Sequence, residues 1–214
     1  GSKKSMNKLL LTKKKVVSIY NPYLKHDFKI KKIKKKNIIL SVGRLTKQKD
    51  FKTLIYAFSL IHKKIDSYKL LIIGDGEKRN SLNKLIINLG LSKKIKILGW
   101  INNTSRYYIT SKLFVLSSIY EGLGNVLIDA TNYKLPVITS NCKSGPSEII
   151  DNGKGGYLFP IKNSYKLSRI ILEALNNKSI TMKKTNFAKK RVNRFYINKN
   201  CSLYLNYIKK IFYE

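Results

Sequence analysis

Six short runs of almost wholly apolar residues recur along the middle of the chain, and between them the apolar residues fall at helical spacing. The runs are Ile38-Ile39-Leu40-Ser41-Val42, Leu70–Ile73, Ile95–Leu98, Leu113–Leu116, Val137–Thr139 and Tyr157–Phe159. A strand with no polar face is buried on both sides, which implies a parallel sheet covered by helices. The intervening segments supply those helices. Phe51, Leu54, Ile55, Phe58 and Ile61 follow a helical period, as do Leu82, Leu85, Ile86 and Leu89 ahead of Gly90. Leu167, Ile170, Ile171, Ala174 and Leu175 mark a longer helix over 164–176, and shorter ones are expected near 103–110, 125–133 and 145–150. The expected fold class is therefore α/β: a Rossmann-like doubly wound parallel sheet of about six strands in the order 3-2-1-4-5-6, with ligands at the carboxyl ends.

The flanks have a different character. Residues 2–15 are expected as a basic helix or extended arm, Val16–Ile19 as a short strand ended by Asn21-Pro22, and 27–36 as a lysine-rich connector. Helices are expected over 180–194 and 198–212, the second with Tyr204, Ile208 and Ile211 as an apolar edge. The 214 residues suit one domain with an appendage. An apolar content of 43% supports a packed core and argues against wholesale disorder. Two cysteines make no disulfide framework, and with two histidines they make no metal cluster, so a reducing setting fits. No run approaches the roughly 20 apolar residues needed to span a bilayer. No signal-peptide pattern is visible, and Gly1-Ser2 ahead of the first methionine, Met6, reads as an expression scar on a fragment.

Net charge is +33, and it is concentrated at the ends. Residues 1–36 carry +12, residues 176–214 carry +9, and the long middle carries the remaining +12. An anionic partner follows: nucleic acid, a phosphorylated ligand or an anionic membrane surface. The competing explanation is compositional, because a Lys-, Ile- and Asn-rich chain also arises from A/T-rich coding.

Only 11 acids are present, and Asp75, Glu77, Glu121, Asp129, Glu148 and Asp151 all fall near expected strand ends or helix starts. Three patches there carry chemistry. In Ser41-Val42-Gly43-Arg44-Leu45, Gly43 is expected to let the backbone turn sharply. Arg44 and Lys49 then offer the fork and point charge that suit a diphosphate, unless they are ordinary surface cations. Gly74-Asp75-Gly76-Glu77 resembles a dinucleotide turn but lacks the third glycine. The sharpest patch is Ser117-Ser118-Ile119-Tyr120-Glu121-Gly122-Leu123-Gly124-Asn125-Val126-Leu127-Ile128-Asp129. A strand ends, a glycine-rich turn follows, and a helix starts. Free N–H groups from Gly122 to Val126 would face the ligand edge, where a phosphate can approach closely and the helix dipole favours its charge. Glu121 and Asp129 flank that turn as hydroxyl acceptors. Phosphate donors between two hydroxyl acceptors describe a nucleotide sugar.

These pieces, in this order, resemble the C-terminal half of the retaining family 4 glycosyltransferases of the GT-B fold. The likeness runs from Tyr20-Asn21-Pro22 through SVGRL, Lys49, LLIIGDGE and ILGW to FVLSSIYEGLGNVLIDA, LPVITS and GPSEIIDNGKGGYLFP. The block NCKSGPSEII is similar to members that transfer N-acetylhexosamines or other UDP-sugars in surface polysaccharide assembly. The resemblance implies that residues 1–15 are a crossover segment or the end of a missing acceptor domain, 16–195 the nucleotide-sugar domain, and 196–214 a crossover helix. It implies that Arg44 and Lys49 bind the donor diphosphate, with Gly43 beside them. Glu121 would hold donor-sugar hydroxyls and act with Arg44 and Lys49 in catalysis. Gly122, Leu123, Gly124, Asn125 and Val126 would meet the sugar or distal phosphate, and Gly99-Trp100 would lie beside the base. Asp129 stands where the family has a second Glu that binds the ribose, with a reach shorter by about 1.5 Å. His26 and His62 do not match the family's helpful histidine, which belongs to the other domain. No cofactor and no metal are implied; Arg44, Lys49 and helix N–H groups would stabilise the leaving diphosphate. The implied partners are a nucleotide-sugar donor, a hydroxyl acceptor that is lipid-linked in many members, the missing domain and an anionic membrane surface, with no specific nucleic acid. The implied location is cytoplasmic, peripheral on the inner membrane face. The alternatives are a sugar-nucleotide epimerase-like enzyme with the same cleft, and a nucleic-acid-binding module suggested by charge alone.

Overall fold

The computed structural model describes residues 17–25 and 33–213. Six strands form one parallel sheet: β1 (Ile38–Val42), β2 (Lys69–Ile73), β3 (Ile95–Ile97), β4 (Leu113–Leu116), β5 (Val137–Ser140) and β6 (Tyr157–Phe159). Their order is β3-β2-β1-β4-β5-β6, and every pairing is parallel. The order reverses between β1 and β4, so the loops after those two strands meet at one edge.

Both faces of the sheet are covered, which is why the strands lack a polar face. Along β1, Ile39 enters one core and Leu40 the other; along β4, Val115 and Phe114 divide in the same way. Helices α1 (Phe51–Ile61), α2 (Arg79–Asn88) and, further along the chain, α6 (Ser164–Asn176) cover the first face. The second is covered by α3 (Ser105–Thr110), α4 (Asn125–Asn132) and α5 (Pro146–Ile149), with Val192 and Phe195 beyond helix α7 (Lys178–Arg191). The C-terminal helix α8 (Ile197–Tyr213) leaves Leu203, Tyr204, Leu205, Ile208, Ile211 and Phe212 exposed.

Two expectations at the flanks need correction. Residues 17–19 are not a strand. Among the described residues the connector pairs at Leu24, in a single parallel bridge to Tyr196. The Tyr23 and Leu24 N–H groups both donate to the Phe195 carbonyl, at 3.1 and 3.0 Å. The helix expected over 180–194 is α7, which ends at Arg191 and tightens into a 3-10 turn over Val192–Phe195. Residues 2–15, Val16, His26 and most of the lysine-rich connector lie outside the described residues.

Candidate functional site

Backbone hydrogen bonds knit the loop after β1 to its neighbours. The Gly43 N–H donates to Ile73 O at 3.0 Å, Leu45 N–H to Asp75 O at 2.9 Å, and Lys78 N–H to Leu45 O at 2.8 Å. Gly74 N–H donates to Gly99 O at 2.8 Å, joining the loop after β3 as well. The sharp backbone expected of Gly43 belongs instead to Gly74, at φ 142°. A Cβ on Gly74 would stand 1.9 Å from the Gly43 carbonyl oxygen, whereas one on Gly43 would only touch the Lys49 side chain at ordinary distance. The Gly74-Asp75-Gly76 patch is thus a buttress for the loop that carries Arg44. Arg44 itself is exposed and has no hydrogen bond or ion pair among the described residues.

A 3-10 turn, Lys47–Lys49, carries the second cation. It is stitched to the loop after β4: Ile119 N–H donates to Gln48 O at 2.8 Å, Gln48 Nε2 to Tyr120 O at 2.9 Å, and Ser117 Oγ to Lys49 O at 2.8 Å. This stitching sets Lys49 against Glu121, with Nζ to Oε1 at 2.5 Å and side chains only 14% and 7% exposed. Ser118 Oγ donates to the same oxygen at 2.7 Å. A nearly dry ion pair of this kind is orientationally strict. It holds the Glu121 carboxylate at the mouth of the glycine turn.

The turn keeps its glycines for different reasons. Gly124 is in the left-handed region at φ 88°, where it caps α4. At Gly122 a Cβ would meet nothing within 4 Å, so the backbone faces open space. From behind, Gly145 braces the turn: at φ 75°, its Cβ would stand 2.5 Å from Gly122 O and 2.8 Å from Leu123 Cα. Asn125 is exposed at the first residue of α4, while Leu123 and Val126 pack against the second core. A cavity of about 330 Å³ borders this turn on the Gly145 side, walled by Gly122, Leu123, Gly145, Glu148 and the connector residues Ser18–Asn21.

Asp129 sits one turn further along α4. It does not join the Lys49–Glu121 pair; its Oδ2 accepts from the Tyr23 hydroxyl at 2.8 Å. Burial raises its carboxyl to about 6, and the Tyr23 hydrogen bond opposes that rise. Burial, followed by the charge of Asp129, pushes the Tyr23 phenol well up. Tyr20 in the same connector donates to Glu148 Oε1 at 2.5 Å, and burial followed by that bond pushes it up to about 12. Trp100 is 74% exposed, and its indole N–H donates to Asn102 Oδ1 at 2.7 Å. It is no packing residue, and its face is open. His62 Nδ1 lies 2.9 Å from the Ser59 carbonyl oxygen at the end of α1, away from these groups.

A larger cavity, about 700 Å³, lies elsewhere. It lies between α1 and α2, over Phe51, Tyr56, Leu82 and Leu85, on the far side of the Lys47–Lys49 turn. None of Arg44, Lys49, Glu121, the glycine turn or Asp129 lines it. The charged groups and the open N–H groups instead share the edge between β1 and β4, where a phosphate has donors on both sides. Sequence reasoning quoted Tyr20, Ser118 and Gly145 within motifs but gave them no role, and it missed Tyr23 altogether. A Tyr-x-x-Tyr spacing carries no signal for partners more than 100 residues away.

Known proteins are similar to this chain in sequence and in fold. The family model described as "Glycosyl transferases group 1" matches residues 24–194. The chain is 44% identical over 121 residues to the amylovoran biosynthesis glycosyltransferase AmsD of Erwinia amylovora, covering 56% of this chain and 34% of that protein. It is 32% identical over 161 residues to a Campylobacter jejuni N-acetylgalactosaminyltransferase named for a diphospho-undecaprenol-linked substrate, covering 75% and 43%. The chain thus spans less than half the length of these relatives. In fold it is similar to the pneumococcal O-GlcNAc transferase GtfA, solved with UDP and GlcNAc, at a TM-score of 0.80 and 19% identity over 100% of this chain and 45% of that one.

Proposed function

The chain belongs to the group 1 glycosyl transferases, and on that premise we propose that it is the donor-binding half of a retaining family 4 enzyme that moves a sugar from a nucleoside diphosphate to a hydroxyl. One observation carries the reading: the unpaired Arg44, the Lys49–Glu121 pair and the open Gly122 backbone converge where β1 and β4 part. In this reading Arg44 grips the diphosphate as a fork, and Lys49 moves from Glu121 towards the phosphate as the donor enters. Glu121 then accepts hydroxyls of the sugar, Asp129 accepts from the ribose, and the Gly122–Val126 amides meet the distal phosphate or the sugar. Arg44, Lys49 and those amides stabilise the leaving diphosphate as its charge develops, and no metal or other cofactor is assigned a part. The exposed Trp100 and the buried Gly99 before it take the base side.

A UDP-sugar is the favoured donor, supported by the UDP held by GtfA and by the N-acetylgalactosaminyl transfer in the name of the Campylobacter relative. The proposed acceptor is a lipid-linked or glycan hydroxyl in surface polysaccharide or glycolipid assembly, in keeping with the names of AmsD and the Campylobacter protein. The acceptor half is proposed to lie in the portion of the relatives that this chain does not cover, docking on the exposed apolar side of α8. The proposed setting is cytoplasmic, peripheral on the inner membrane face. No helix among the described residues is long and apolar enough to cross a membrane.

Titration calorimetry of the 214-residue chain with UDP-, GDP- and ADP-sugars tests the donor reading. Saturable binding is expected with one base preferred, and Arg44→Ala should weaken it about tenfold or more, the scale of a lost charge-assisted contact. Equal heats for all bases, unchanged in Arg44→Ala, would refute it.

A further inference from the structure

Tyr23 and Asp129 are 106 residues apart in the chain, yet the phenol oxygen and carboxylate Oδ2 are 2.8 Å apart. The connector has no freedom to make this bond casually. Pro22 precedes Tyr23 and fixes its own φ. The N–H groups of Tyr23 and Leu24 donate to Phe195 O, and Leu24 O accepts from Ile197 N–H at 2.9 Å. Residue 23 is therefore pinned by backbone on both sides before its side chain reaches α4. Among the described residues the ionisable groups that meet Asp129 are phenols, Tyr23 from the connector and Tyr108 from α3, with Tyr133 just past α4 next to both. The last two rings stack at 5.5 Å. Among the described residues, Tyr23 is thus the one direct side-chain hydrogen-bond donor to the carboxylate, and no hydrogen bond reaches Oδ1.

A half-buried carboxylate with one donor has two failure modes when that donor is removed. It can rotate about its terminal torsion, which is soft. It can also take up a proton at higher pH, because a hydrogen bond to the charged form favours that form. Either change spoils it as an acceptor for a hydroxyl. We infer that Tyr23 is a positioning residue for nucleotide binding: by holding Oδ2 it fixes the Asp129 carboxylate with Oδ1 left to accept a ribose hydroxyl. The connector that leads into the domain would then be a working part of the nucleotide site rather than a tether. This inference rests on the ribose assignment of Asp129 in the proposed function, and its test separates the two.

Affinities of the 214-residue chain for UDP and for 2′,3′-dideoxy-UDP are measured by calorimetry in wild type, Tyr23→Phe, Asp129→Asn and the double variant. The dideoxy analogue carries the same titrating phosphates, so the difference between the two ligands reports the ribose contact alone. It also shows that each variant is folded and still holds the diphosphate. Tyr23→Phe is expected to weaken UDP about three- to tenfold, the scale of one hydrogen bond, and to leave the dideoxy analogue within about twofold. The pH at which the UDP advantage appears should move upward from near 6, because the group that lowers the Asp129 carboxyl is gone. In the Asp129→Asn background, Tyr23→Phe should cost nothing further. Equal losses for both ligands, no loss, or full additivity in the double variant would overturn the positioning role. If Asp129→Asn itself leaves the UDP advantage intact, the ribose assignment falls and the inference falls with it.

Discussion

Asp129 is a group whose burial costs stability. Its carboxyl sits at about 6 in the folded chain against an ordinary value of 3.8, because burial penalises the charge. The folded state therefore binds the proton more tightly than the unfolded one, and stability falls as pH rises from about 4 to 6. Above 6 the full cost is present, on the order of 1–3 kcal/mol for a shift of about two pH units in a half-buried site. Asp129→Asn removes that charge but keeps an oxygen for Tyr23. It should raise the melting temperature at pH 7.5, lose that advantage towards pH 4.5, and weaken UDP about ten- to a hundredfold. Melting curves at the two pH values, taken beside the titrations, check all three. A variant less stable at both pH values would show that Asp129 serves the α4 dipole instead. In the sequence, the position of Asp129 after the glycine turn was legible from its spacing. Its tyrosine partner was not, because nothing local in YNPY encodes a contact more than 100 residues away.

The loops at the sheet edge are held by backbone more than by side chains. The strands were readable because each is buried on both faces, and burial selects apolar residues at every position. The expected runs agree with the observed strands to within a residue at either end. The stitching of residues 43–45 to 73–78, and of Ile119 to Gln48, uses N–H and carbonyl groups that every residue owns, with Gln48 Nε2 and Ser117 Oγ adding two side-chain ties. It leaves no signature except glycine, which is why the Gly74-Asp75-Gly76 patch looked like a poor dinucleotide turn. The structure gives Gly74 a steric reason to exist. Gly74→Ala places a methyl 1.9 Å from the Gly43 oxygen at a φ of 142°. The loop carrying Arg44 must then shift, at a cost of at least about 2 kcal/mol. Chemical denaturation should show that loss, and UDP-sugar affinity should drop with it. Gly122→Ala has open space before it and should keep its stability while losing affinity, since its methyl occupies the ligand's place. Equal stability losses in the two variants would mean that the glycine turn is structural rather than open for a ligand.

At the scale of the whole molecule the charge asks for an explanation. Of the +33, 21 units lie in residues 1–36 and 176–214, outside the six strands. If those ends meet an anionic membrane, each basic residue near the surface contributes about 1 kcal/mol, so attachment should be steeply salt-sensitive. Flotation with liposomes containing phosphatidylglycerol should carry the chain upward at low salt and release it at high salt, with little binding to neutral vesicles. Equal binding to both, or to neither, would leave the charge as a bias of composition. The apolar edge of the last helix, legible from Tyr204, Ile208 and Ile211, is confirmed as exposed surface on α8.

The donor site is proposed at the β1–β4 edge rather than in the larger cavity between α1 and α2. Amide chemical-shift mapping during titration with a UDP-sugar addresses it directly. The expected result is a set of saturating shifts at Gly43, Arg44, Lys49 and Gly122–Val126, with Asp129 following and with Thr53, Ser81 and Leu85 unmoved. Shifts centred on Thr53, Ser81 and Leu85, with Gly122 and Gly124 silent, would contradict it.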